Sequence, residues 1–433
     1  MTSRQILEGE LRDLQGNILR GYRLRHVAHL FATLSPANVE DWRRALRTLN
    51  VTAEAGTSKP HVTRNIGISY AGMALLVPAV GDELRVFEAY SAGMGARAEQ
   101  LGDSGNIAWD DWHARHLWIS VHAATRPELD AEVGRLQHVL PGVSSPALLA
   151  EARVGQGGHW MEPFGFRDDI SQPAIAGAPN EERLLRGNGK LDAARKGWLP
   201  IAAGEFLLGH LNERNHDVTA RLRTTRSMLA NATFAAFREL VQDVERFERA
   251  LAEAASAWGV CAGELKAKLV GRHPDGTPLA KAYGKAEFSY DDDPQGSRCP
   301  LGSHVRRVNP RLNGEHRIIR RGMPFRREAT GAGDIAREEQ GMYFVAFNAS
   351  LENQFEFMQA TWMNRDVGAL PDSRDPLVGE GIRRFSIPGM AAGGDPICLR
   401  LDPFVTCRGG QYYLMPSLSG LRQIAGEAAG ARP

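Results

Sequence analysis

The sequence predicts a layered α+β or α/β protein built of two similar halves. Short stretches with alternating apolar residues mark strands, longer stretches with helical spacing follow them, and the alternation recurs on both sides of residues 150–165. At 433 residues the chain is long enough for two packed domains, or one large unit of two halves, with core enough to enclose a cofactor. We divide it into an N-terminal half, 1–155, and a C-terminal half, 156–433.

Taken in order, Val27 to Ser35 (VAHLFATLS) reads as a strand. Ser35-Pro36 then supplies an N-cap and a first-turn proline to a helix carrying Val39, Trp42, Leu46 and Leu49 on one face. His116 to Ala123 alternates Leu117, Ile119 and Val121 on one side of a strand, and Glu128 to Leu140 follows as a helix. In the second half, Gly204 to Leu211 (GEFLLGHL) is a strand candidate. Ala232 to Trp258 reads as one long helix with Phe234, Phe237, Val241, Val244 and Leu251 inward. Tyr343 to Phe347 is a strand, Ser350 to Trp362 a helix with Leu351, Phe355, Met358 and Trp362 on one stripe, and Gln411 to Met415 a closing strand. Arg272 to Ser303 and Val367 to Pro396 lack periodicity and are rich in Gly, Pro and Asp. Loops of that length are more often functional than accidental, so they are expected around a pocket.

Charged residues are 24 % of the chain and nearly cancel, at 52 basic against 51 acidic. No basic stripe calls for nucleic acid, and the local runs Arg20 to His26 and Arg221 to Arg226 read as solvated faces. The N-terminus has no apolar signal region, and no run of about eighteen apolar residues occurs, so no membrane partner is expected and the protein is placed in the cytoplasm. Cys261, Cys299, Cys398 and Cys407 form no Cys-x-x-Cys pair and read as reduced and structural.

Three segments concentrate chemistry. Cys299 to Arg311 (CPLGSHVRRVNPR) sets His304 before two arginines, between a Gly-Ser loop and an Asn-Pro turn. A lone histidine is more often a hydrogen-bonded structural residue than a metal ligand, and spacing alone does not single out one of thirteen. Phe164 to Pro173 (FGFRDDISQP) holds two adjacent aspartates, which an ordinary surface turn would also explain. Arg317 to Phe325 (RIIRRGMPF) places arginines among isoleucines, a costly arrangement unless each finds a polar or anionic partner.

In this order the three segments resemble those of the dye-decolorising peroxidases. The likeness extends from LQGNILRGY through GEFLLGH, NATFAAFRELVQDV and GRHPDGTPL to GMYFVAFNASLENQFEFMQATW and FVTCRGGQYYLMPSLSGL, nearly the whole chain, and its length is similar to that of the larger intracellular bacterial members. The resemblance implies an α+β fold of two ferredoxin-like halves with antiparallel sheets facing each other, a dimeric α+β barrel-like arrangement with haem b in the C-terminal half. It implies a haem peroxidase that oxidises dyes, phenolics or a specialised metabolite with hydrogen peroxide through a ferryl intermediate. The rival it leaves is a haem-binding protein of the same fold with a non-peroxidase role: haem handling, peroxygenase chemistry or a biosynthetic oxidation. The partners implied are hydrogen peroxide and a small organic reductant, with homo-oligomerisation left open.

Residue by residue, the resemblance makes His304 the proximal ligand of the haem iron and Asp402 the carboxylate behind it. Asp168 becomes the proton shuttle and Arg320 the distal arginine, with Arg321 the competing assignment. Arg306 or Arg307 is expected to meet a propionate. Two family glycines are replaced, by Asp169 and Arg326. In an extended segment neighbouring side chains point to opposite sides, so Asp169 is expected to pair with Arg167 rather than face the haem. Eight tyrosines and eight tryptophans are available to relay electrons, and the sequence does not choose among them.

Overall fold

The computed structural model describes residues 4–54, 59–103, 105, 107–144, 147–192, 197–309, 314–330, 336–368, 370–390 and 394–427. Nine strands among them form one antiparallel sheet: β1 (His26–Ala32), β2 (Val62–Ile68), β3 (Leu117–Ala123), β4 (Leu148–Glu151), β5 (Thr233–Gln242), β6 (Ile319–Arg320), β7 (Met323–Thr330), β8 (Ala336–Asn348) and β9 (Val405–Met415). Their spatial order is β6-β8-β5-β9-β2-β3-β1-β4, with β7 also on β8. The strands up to residue 151 thus lie on one side and those from 233 onward on the other. The paired residues Leu414 and Ile68 join them.

The sheet curls so that its two parts face each other. Although β1 and β5 are far apart in strand order, the His29 ring lies 5.0 Å from Phe237 and 5.4 Å from Tyr343, and Phe31 lies 5.5 Å from Phe237. Alternation explains this: Val27, Phe31, Trp118, Phe237, Tyr343, Tyr413 and Met415 fill the space between the sheets, while Ala28, Leu30, Ile66, Ile119 and Leu414 point outward. On that outer face pack α1 (Val39–Thr48) through Trp42 and Leu46, α2 (Arg126–Val139) through Leu129 and Leu136, and α6 (Leu418–Ile424) through Leu421 and Ile424. A Thr125–Glu128 capping box starts α2. Behind the C-terminal strands α3 (Val244–Trp258) and α4 (Ala262–Val270) form a separate core with Phe247, Leu251, Leu265 and Phe404, and α5 (His304–Val308) adjoins it through Val305.

Three expected elements differ. Residues 232–258 are not one helix: β5 ends at Gln242, and Asp243 caps the start of α3 by accepting the Arg246 N–H. Phe234 and Ala236 serve one core and Ala235 and Phe237 the other, so a strand buried on both faces shows no alternation. Residues 204–211 are a buried turn rather than a strand, with Gly204 pressed against the backbone of Leu211. The stretch from Ser350 is wound as wide π-turns over Glu352–Glu356 and Met358–Met363, a winding that often marks functional sites.

Candidate active site

The outward face of the C-terminal strands does not meet helices everywhere. Leu240 of β5, Met342 and Phe344 of β8 and Thr406 of β9 floor a cavity of about 530 Å³, within the ~300–1,000 Å³ common for ligand pockets. Phe355, Met358 and Met363 from the π-turns close one side. Arg272, His273 and Gly276 and the run Leu377 to Gly381 also line it, so both long aperiodic loops reach the cavity.

His304, Asp168 and Arg320 all line this cavity. His304 is the first residue of α5, held by Ser303, whose hydroxyl donates to the Lys268 carbonyl at 2.6 Å. Its ring Nδ1 lies 2.9 Å from Asp375 Oδ2, and Nε2 has no partner among the described residues. Asp375 is fully buried, and its other oxygen accepts the N–H groups of Leu377 and Val378 at 2.9 and 3.0 Å. Burial would push that carboxyl up, but the His304 ring and the two N–H donors hold it below its ordinary value. The expectation for Asp402 is therefore corrected: the carboxylate behind His304 is Asp375. Asp402 is exposed and contributes its carbonyl to Arg383 instead. The signal was the Asp375-Pro376 pair in the second aperiodic loop, invisible without knowing which loop folds under α5.

Asp168 sits at the end of a narrow hairpin, where its N–H donates to the Trp160 carbonyl at 2.9 Å. Its Oδ1 accepts from Arg320 at 3.0 Å, and Oδ2 has no partner among the described residues. Arg320 also donates to the Ser171 carbonyl, and Gln172 clamps its backbone, donating to the carbonyl at 2.9 Å and accepting the N–H at 3.1 Å. Arg321 turns the other way, into the carbonyls of Asn17, Ile18 and Leu19. Asp169 does not line the cavity. It pairs with Arg167 and lies 3.2 Å from Arg23.

Neither Arg306 nor Arg307 lines the cavity, which corrects the expectation for a propionate partner. Arg306 is bound to Asp293 and the Cys299 carbonyl, and Arg307 is held by the carbonyls of Trp362, Ser373 and Arg365. Both arginines that follow His304 thus brace its loop. Two cations of the cavity have no carboxylate partner among the described residues: Arg272 is held by the Gly276 and Lys285 carbonyls, while Arg317 is pushed down to about 10, first by burial and then by Arg320. Arg317 stood in the RIIRRGMPF segment, but nothing there distinguished it from the arginines beside it. Pro310 and Arg311, which end the CPLGSHVRRVNPR segment, lie outside the described residues.

Residues 212–372 match the family model "Dyp-type peroxidase, C-terminal". Peroxidase 2 of Mycetinis scorodonius is 28 % identical over 95 % of this chain and 87 % of its own length. The multifunctional dye peroxidase DyP2 of an Amycolatopsis strain is 27 % identical over 96 % of both. The chain is similar to dye-decolorising peroxidases over nearly its whole length. Solved structures agree with this fold: the DyP-type peroxidase of Anabaena superposes with a TM-score of 0.78 at 23 % identity over 96 % of this chain and 95 % of its own. The fungal DyP-type peroxidase of Auricularia auricula-judae gives 0.75 at 24 % over 96 % and 99 %.

The residues fit the haem on which dye-decolorising peroxidases depend. The cavity offers one imidazole whose Nδ1 is engaged by a buried carboxylate, with Nε2 and the Arg317 guanidinium unpartnered among the described residues and so open to a metal and a carboxylate, and apolar walls for a flat macrocycle.

Proposed function

We propose that this chain is a haem peroxidase that uses hydrogen peroxide to oxidise small organic reductants such as dyes and phenolics. The observation that carries this is the shared cavity, in which an imidazole backed by Asp375 and an Asp168–Arg320 pair meet. Haem bound there supplies the redox chemistry, and each turnover consumes one peroxide and two one-electron equivalents of reductant and releases two waters. In this reading His304 Nε2 holds the iron, and Asp375 orients the ring and raises its basicity through Nδ1–H. Asp168 Oδ2 takes the proton from the incoming peroxide and returns it to the departing oxygen. Arg320 holds Asp168 through Oδ1 and stabilises negative charge developing on the peroxide. Arg317 receives a propionate.

We place the protein in the cytoplasm. Cys261, Cys299, Cys398 and Cys407 are free, which supports a reducing compartment, and no helix among the described residues is long and apolar enough to cross a membrane. Residues 1–155 and 156–433 are taken as its two halves.

The experiment is reconstitution with haem followed by peroxide and a dye. A Soret band, a rapid spectral change with peroxide and dye bleaching are expected, and His304→Ala loses most of the bound haem. Wild-type protein that takes up no haem, or takes it up without reacting with peroxide, overturns the proposal.

A further inference from the structure

The proton shuttle assigned to Asp168 depends on where its hairpin is held. Residues 160–168 form a narrow ladder closed by Glu162 N–H to the Phe166 carbonyl at 2.9 Å and Gly165 N–H to the Glu162 carbonyl at 2.9 Å. At its tip the Glu162 carboxylate folds back on the turn: Oε2 accepts the Phe164 N–H at 2.9 Å and Oε1 the Phe166 N–H at 2.8 Å. Oε2 also accepts from the Gln242 amide at 2.9 Å. Gln242 is the last residue of β5, the strand that floors the cavity, and is only 7 % exposed, with its own Oε1 unpartnered among the described residues. One side chain therefore shapes the turn and ties it to the sheet.

A carboxylate is an expensive choice for this task. Burial, opposed by Gln242 and the two N–H donors and reinforced by nearby Asp168, raises its proton affinity. Among the described residues both oxygens face N–H donors only, so the ionised form is the one that satisfies the geometry. A glutamine in its place would turn an amide N–H₂ toward another donor.

We propose that Glu162 is a positioning residue for the peroxide step: through Gln242 it pins the hairpin that carries Asp168 to the floor of the cavity, and it acts on the reaction through Asp168. This rests on the reading of Asp168 as the group that moves the peroxide proton. Displacements of about 1 Å in such a group cost on the order of a hundredfold in rate. A residue acting through Asp168 loses its effect once Asp168 is gone, whereas a general structural contribution persists.

The test is a double-mutant cycle on the haem-reconstituted enzyme, with E162Q, D168N and the double variant, reading haem content, Soret position and the stopped-flow rate constant with hydrogen peroxide. E162Q is expected to lower that rate constant by at least about tenfold with haem content and Soret position unchanged, and by less than about twofold in the D168N background. If E162Q fails to fold or to hold haem, Q242L enters the same cycle, with an expected loss of about threefold that vanishes beside D168N. A rate for E162Q within about twofold of wild type, or a fold-loss that persists undiminished in D168N, overturns the positioning role alone. A D168N rate equal to wild type overturns the reading of Asp168 and, with it, this proposal.

Discussion

Arg320 and Arg321 are adjacent and chemically identical, yet the chain sends them to opposite duties. Arg320 points into the cavity with Asp168, and Arg321 satisfies the carbonyls of Asn17, Ile18 and Leu19 in the buried N-terminal segment. Arg320→Leu is therefore expected to slow the reaction with peroxide by about a hundredfold or more at nearly unchanged stability, as loss of a transition-state donor does. Arg321→Leu should instead lower unfolding free energy by about 3 kcal/mol, since it strands buried carbonyls. Stopped-flow mixing and urea titration of both variants distinguish these outcomes, and equal peroxide rates for the two would contradict them. Asp169, bound to Arg167 and Arg23 away from the cavity, leads to a third expectation: Asp169→Gly changes the peroxide rate by less than about tenfold, or roughly 1.4 kcal/mol in barrier. A larger loss in the same assay would place Asp169 in the reaction. Local chemistry made this pair legible, because strand alternation separates neighbours whatever the fold. Asp375 was not legible, since a contact spanning 71 residues depends on how a loop without periodicity folds under α5.

At the scale of elements, a strand enclosed on both faces was readable only where polar side chains interrupt its apolar run. β1 and β3 are buried along nearly their whole length, but His29 in one and Ser120 and His122 in the other break the apolar run. In β5, Phe234-Ala235-Ala236-Phe237 has no polar face to reveal its period, and its Ala, Arg, Glu and Leu content favours helix. β9 contains a bulge between Cys407 and Gly409, where Gly409 adopts φ +136° and a Cβ would overlap the Trp112 indole nitrogen. The Trp112 indole donates to the neighbouring Arg408 carbonyl, so it has little room to withdraw. Gly409→Ala is accordingly expected to cost about 2–3 kcal/mol, measured by urea unfolding, from left-handed backbone strain together with the clash. A loss below about 0.5 kcal/mol would show that the bulge relaxes.

For the whole molecule, the interior between the sheets is polar enough to matter. His29 and His122 are both buried there, and burial holds His29 well below its ordinary value, assisted by the nearby charge of His122. His122, which lies 3.0 Å from the Asn17 amide, is lowered to about 4, first by burial and then by Arg321. A histidine whose folded pKa is depressed binds more protons when unfolded. Stability is therefore lost as pH falls from about 6.5 toward 4, by about 1.4 kcal/mol per pH unit for each fully titrating group. Glu205 opposes this: burial raises it to about 7, so the folded form holds its proton over much of the same range. The histidine contribution is isolated by comparing wild type with His122→Gln in urea at a series of pH values. The difference between them should be flat above pH ~6.5, and below it the variant should lose stability less steeply; parallel curves would contradict this. The order in which the sheet can be assembled follows from the position of β9, which is the last strand in the chain yet lies between β5 and β2. During synthesis β2 and β5 each wait with an uncovered edge until β9 emerges, and α6, which seals α1, comes later still. A nascent or C-terminally clipped chain thus presents two unpaired strand edges open to edge-to-edge aggregation.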